Sequence, residues 1–164
     1  MKILRIIILS LGVVAVSSVY MSCSREIPQV APLETNLSSS GIVQVFDATV
    51  RSTRNYIYVD GVPVSGIALA YGAIFPATAY GFAVNSGTRT FLIKDTLPAT
   101  TQVPLTFTEN IDLGKSYTIF TYDTITSVKK ATVLNNIVVP TDTSSMLRFA
   151  NFIYNKTAFT IYFH

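Results

Sequence analysis

Few residues in this chain have both the chemistry and the spacing to act on a substrate. It carries one cysteine, Cys23, and one histidine, His164, so disulfides, multi-ligand metal sites and most nucleophile–base triads lack their raw material. His164 is the last residue, where fraying leaves a general base or a metal ligand ill placed. The acids Glu109, Asp112 and Asp123 could be paired as a glycosidase would need, but each more simply marks a strand end, where a carboxylate solvates a turn. No acidic cluster has the close, regular spacing of a calcium loop. The expectation is a protein that is not an enzyme and takes no cofactor.

Cys23 points to a different chemistry. Lys2 and Arg5 precede an apolar run, Ile6 to Val16, broken only by Ser10 and Gly12, and Ser17-Ser18-Val19-Tyr20-Met21-Ser22 leads from it to the cysteine. This is the layout of an export signal, and the apolar stretch falls short of the roughly 20 residues that a membrane span needs. With small residues on both sides, Ser22 and Ser24, Cys23 reads as the lipobox cysteine that becomes the diacylated first residue once 1–22 are removed. Tyr20 departs from the leucine usual there. Cleavage by the ordinary peptidase near Ser17 or Ser18 would instead leave Cys23 as a spare thiol, whereas lipidation consumes it. Each buried CH₂ of an acyl chain contributes about 0.8 kcal/mol, so several chains on one cysteine make a durable anchor. The implied partner is a membrane, reached through the acylated cysteine. The implied location is the outer membrane, since Ser24-Arg25-Glu26 lacks the acidic run that flags surface export in some Gram-negative lipoproteins, with the periplasmic and cell-surface faces both left open.

The rest of the chain has to position whatever this anchor displays. Residues are 49% hydrophobic and 13% charged, and 12 basic side chains oppose 9 acidic ones. Two of the basic ones, Lys2 and Arg5, lie in the leader, so the balance argues against a nucleic-acid partner. Residues 23–41, with Pro28, Pro32 and Ser38-Ser39-Ser40, read as a lipidated N-terminus and tether. Residues 42–143 switch to short β-rich runs separated by Gly, Asn, Asp and Pro. Strands are expected at Ile42–Thr49, Asn55–Val59, Val62–Ile67, Ala79–Asn85, Thr88–Asp95, Val103–Thr108, Ser116–Asp123 and Ala131–Leu134, then Met146–Phe149 and Ala158–Phe163. Asp60-Gly61 and Ser86-Gly87 read as hairpin turns. Many short strands with turn signals at regular spacing make the class all-β, an antiparallel β-sandwich.

The order of these pieces carries a resemblance. Tyr56-Ile57-Tyr58-Val59-Asp60-Gly61, Leu69-Ala70-Tyr71-Gly72, Asn85-Ser86-Gly87-Thr88-Arg89-Thr90, Leu113-Gly114-Lys115-Ser116-Tyr117-Thr118-Ile119-Phe120 and Leu147-Arg148-Phe149-Ala150-Asn151 follow one another as in the exported bacterial proteins of the "domain of unknown function 4397" family, which the chain resembles from Gly41 to Asn151. The resemblance implies an immunoglobulin-like sandwich and brings no catalytic residue.

A constant shift along the chain aligns Ser40 with Ser144, Val43 with Leu147, Val45 with Phe149, Ile57 with Ile161, Tyr58 with Tyr162 and Val59 with Phe163. Residues 144–164 therefore read as the start of a truncated second copy, or else as a hairpin that completes the first sandwich.

Two sets of residues remain as functional candidates. The connector Ala68–Tyr80 is unusually apolar, so Tyr71, Phe75 and Tyr80 are candidate contacts for a protein or glycan partner, unless the connector merely caps the open end of the sandwich. Asp95-Thr96-Leu97 and Asp123-Thr124-Ile125 match a short Asp-Thr-apolar pattern for O-glycosylation at Thr96 and Thr124. The function expected is a structural or interaction module of the cell envelope; the alternative is a glycan-binding accessory module of a surface polysaccharide system.

Overall fold

The computed structural model describes residues 37–136, 140–144, 149–152 and 160. The leader, Cys23 and most of 144–164 lie outside the described residues. Among the described residues the strands are β1 (Ser40–Val50), β2 (Asn55–Val59), β3 (Val62–Pro63), β4 (Ile74–Phe75), β5 (Phe82–Asn85), β6 (Gly87–Asp95), β7 (Leu105–Ile111), β8 (Ser116–Thr124) and β9 (Lys129–Leu134). They form two packed sheets, so the fold is an all-β sandwich. One sheet runs β4-β1-β8-β9, with β5 also on β1, and the other runs β3-β2-β6-β7.

The alternation that a half-buried strand must show is plain in β1 and β8. Val43, Val45, Tyr117 and Ile119 point into the sandwich and are buried, while Gln44, Phe46, Thr118 and Phe120 take the other face. Ile57, Phe91, Ile93 and Ile111 meet them from the opposite sheet. Phe91, fully buried, stacks on Phe107 with ring centroids 5.4 Å apart.

Several expectations are corrected here. The sandwich is not wholly antiparallel: β1 and β8 pair in parallel from Ile42↔Ser116 to Val50↔Thr124. Parallel neighbours need a long crossover, and the opposite sheet supplies it, a matter on which alternation within either strand is silent. Ser40 and Gly41 belong to β1, paired with Asn85 and Val84, and not to the tether. Asp60-Gly61 is a hairpin turn with both residues at positive φ, 49° and 82°, as the type I′ geometry demands. Ser86-Gly87 is a corner, because β5 pairs with β1 while β6 pairs with β2 and β7, in the other sheet. The strand expected over Val62–Ile67 stops at Pro63: the Val64 amide still donates to the Ile57 carbonyl at 2.9 Å, but the return bond of the ladder is not made. There the Ser65 hydroxyl instead accepts the Ile57 amide at 2.9 Å.

Tyr117 shows how the rim of the core is finished. Its ring is buried, and its hydroxyl donates to the Asp112 carboxylate at 3.1 Å while accepting the Asp112 amide at 3.2 Å. Burial, with the neighbouring Asp112 and Glu109 charges, pushes its pKa above the ordinary value of 10.0, against the opposing pull of the Asp112 amide. Because the folded state holds this proton more tightly, its contribution to stability is fully present below the ordinary tyrosine range and is lost as pH rises through the raised value. Alkaline unfolding should therefore steepen above that range, and Tyr117→Phe should flatten the fall when unfolding is followed against pH. A wild-type curve with the slope of the variant would contradict this account.

Candidate functional site

The sandwich is open along one seam. Where the β2–β3 hairpin of one sheet faces β4 and β5 of the other, a cleft of about 560 Å³ remains, within the ordinary range for ligand pockets. Val59, Val62 and Val64 form one wall, and Phe75, Phe82 and Val84 the other. Local chain geometry sets both walls. The tight turn at Asp60-Gly61 folds β3 back beside β2, with Tyr58 opposite Pro63. On the other side the Phe75 and Phe82 rings pack at 5.4 Å, with a cis peptide between Phe75 and Pro76. Gly81 lets the chain lie against β1: a Cβ there would come within 2.7 Å of the Val43 carbonyl oxygen.

Polar groups gather at one end, and they are already engaged with one another. Arg89 donates through Nε to the Asn85 carbonyl at 2.9 Å and through Nη2 to the Ser86 carbonyl at 2.7 Å. Its Nη1 pairs with Asp60 Oδ2 at 3.1 Å, and Asp60 Oδ1 accepts the Thr90 amide. A guanidinium committed to two carbonyls and a carboxylate is not poised to select an anion. The walls are apolar, so what the cleft accepts best is apolar matter.

The three aromatic candidates are not brought together as one exposed surface. Tyr71 is 62% exposed and Tyr80 93% exposed, whereas Phe75 is half-buried and packs on the core as a cleft wall. Tyr80 stands between the lining residues Ala79 and Gly81 and so at the rim. Tyr71 sits in a turn whose amide donates to the Ser52 carbonyl. The connector is thus architectural at Phe75, where β4 adds two residues to the sheet, and displays its tyrosines outward. Asp60, Asn85 and Arg89 were absent from the candidates named from sequence. Val59, Val62 and Val64 around a tight turn were the available signal, since apolar residues on both arms of an edge hairpin need a surface to cover.

A second cluster has chemistry but no access. Asp47 is 1% exposed and its carboxylate accepts the Thr49 amide and the Thr121 hydroxyl on Oδ1, and the Ser52 hydroxyl and Asn55 amide on Oδ2, at 2.7–2.9 Å. Gln102 in turn donates to Asn55. The main chain of Asp47 bonds Gly72 and Ala73 as well, so this closed network pins the β1–β2 turn to the start of the connector. With four donors on one enclosed carboxylate, the group holds architecture and not a substrate.

The other acids are likewise engaged. Glu109 accepts from Lys130 and Thr132, Asp112 from Tyr117 and Asn110, and Asp123 from Lys129 at 2.6 Å. Among the described residues no three potential metal ligands come together, and no helix is long and apolar enough to cross a membrane. Thr96 is exposed just beyond β6, while Thr124 is half-buried at the end of β8 with its hydroxyl 3.2 Å from that of Thr126. Cys23 lies outside the described residues. No protein-family model matches the chain, and no curated protein matches its sequence.

Proposed function

We propose that this chain is a non-enzymatic, lipid-anchored interaction module of the bacterial cell envelope, of the immunoglobulin-like kind that its motif order resembles. Cys23 is its acylated N-terminus and the outer membrane its location. The observation that carries the reading is the preformed apolar cleft at the open seam. Its partner is an extended protein segment that places apolar side chains between Val62 and Phe82. The edge strand β5 flanks the cleft and is positioned to hydrogen-bond such a segment's main chain, a common mode of peptide capture, while the two-residue β3, ending in Pro63, supplies apolar wall.

The outward tyrosines favour a second reading. Tyr80 at the rim offers the flat apolar face on which sugar rings stack, and a glycan partner would use it together with Asn85.

A photo-crosslinking side chain at Val62, 44% exposed at the cleft wall, tests both readings in the native host, with Leu134 on the far edge as control. A peptide adduct at Val62 alone supports the first reading, a sugar adduct the second, and equal labelling at both positions removes the cleft as the site. The anchor is tested separately. Cys23→Ala should move the protein from the membrane fraction to the soluble one, and mass spectrometry should find acyl chains on wild-type Cys23. Soluble, uncut wild-type protein would end the lipoprotein reading. Of the two candidate glycosylation sites, exposed Thr96 is the one expected to carry a glycan when intact peptides from the host are weighed.

A further inference from the structure

The outer face of the five-stranded sheet is unlike the solvent-facing surface of an ordinary sandwich. Cross-strand partners share a face, so the registers Phe46↔Ile74, Phe46↔Phe120 and Phe120↔Ala131 set Ile74, Phe46, Phe120 and Ala131 in one apolar row across four strands. The next row carries Ala48 opposite Tyr122. Phe46 and Phe120 pack at 5.8 Å. Outward positions with this much aromatic surface are normally covered, and Ala48, although it points away from the core, is only 7% exposed.

The structure also shows what reaches this face. Phe152, which follows the end of β9 by 18 residues in sequence, places its ring 4.8 Å from that of Phe120 and 5.3 Å from that of Tyr122. Beyond it the sequence alternates Phe159, Ile161 and Phe163 with Thr160, Tyr162 and His164. Thr160, in the polar phase of that alternation, is exposed. We propose that the outer face of this sheet is an intramolecular docking surface for the chain's own segment Phe152–His164, with Phe152 as the anchoring side chain against Phe120 and Tyr122. The sheet is then covered on both faces, by the opposite sheet within and by this segment without. The inference is independent of what the cleft binds.

The chain has no tryptophan, which gives a clean optical test in the full-length protein. Phe152→Trp should emit at shorter wavelength, and be quenched more slowly by acrylamide, than Tyr80→Trp at a position 93% exposed. Adding Tyr122→Ser to Phe152→Trp should shift the emission back toward that of the exposed reporter, without loss of the β-sheet circular dichroism. The blue shift should persist through about a hundredfold dilution, since an intramolecular contact has no concentration dependence. Emission of Phe152→Trp equal to that of Tyr80→Trp would overturn the proposal. Indifference to Tyr122→Ser would do the same, because the introduced indole would then be buried elsewhere. A shift that fades on dilution would overturn it too, by assigning the face to a second copy.

Discussion

Asp47→Ala is expected to be among the most damaging single changes in the molecule. The carboxylate is enclosed, and its removal strands the Thr49 amide, the Asn55 amide and the Ser52 and Thr121 hydroxyls at once. Each orphaned buried donor costs roughly 1–3 kcal/mol, and relaxation or an admitted water recovers part of the sum. The expected net loss in equilibrium denaturant unfolding is about 3–5 kcal/mol, at the upper end for a point substitution. Asp47→Asn discriminates cause from size: it preserves volume but turns an amide donor toward groups that are themselves donors, so it too should be strongly destabilising. Asp60→Asn, at a half-exposed turn, should change stability by less than about 0.5 kcal/mol. Asp47→Asn matching wild type would mean that the carboxylate is not the hub of this network.

Phe91→Ala should cost about 3–5 kcal/mol, the range for a large aromatic removed from a core that cannot collapse around the void. Phe91 is fully buried at the middle of β6, opposite Val59 on β2 and Phe107 on β7, so its ring bridges three strands of one sheet. The expected signature in urea titration is a lower midpoint with unchanged slope, since the amount of surface exposed on unfolding stays the same. Phe107→Ala, on the half-buried partner of the stack, should lose clearly less. Equal losses from the two would place the weight of the interaction in the ring pair and not in the filled interior.

How much of this was legible beforehand depended on whether the physics was local. Asn55–Val59 is a strand at its expected bounds, because alternation and the Asp60-Gly61 turn are both short-range signals. The outward and inward phases of Tyr117 to Tyr122 were readable for the same reason. What failed was pairing. Tyr80–Val84 and Thr90–Ile93 on either side of Ser86-Gly87 look like hairpin arms, yet Arg89 ties the corner carbonyls down and the chain changes sheet there. Nothing within either run states which distant strand it will bond. β4 escaped notice because two residues are too few to show a period, and Ile74 and Phe75 owe their conformation to Val45 and Phe46 on β1. The cleft was half legible: Phe75 and Tyr80 were named, but Asp60, Asn85 and Arg89 meet only through the corner that the sequence did not disclose. Asp47 passed unremarked, since one acid within an apolar strand gains meaning only from partners as far away as Thr121.

The parallel ladder between β1 and β8 has a consequence for the timing of assembly. A chain emerging from the ribosome delivers Ser40 long before Thr124, at about 5–20 residues per second. Throughout that interval the first strand has no neighbour on its β8 side, and its apolar positions Val43 and Val45 can be matched only by the short β4 and β5. Closure therefore waits for the last third of the domain, and contacts of this span are the slow kind. Until β8 arrives the chain presents an unpaired apolar strand, the state in which incompletely folded chains associate with one another.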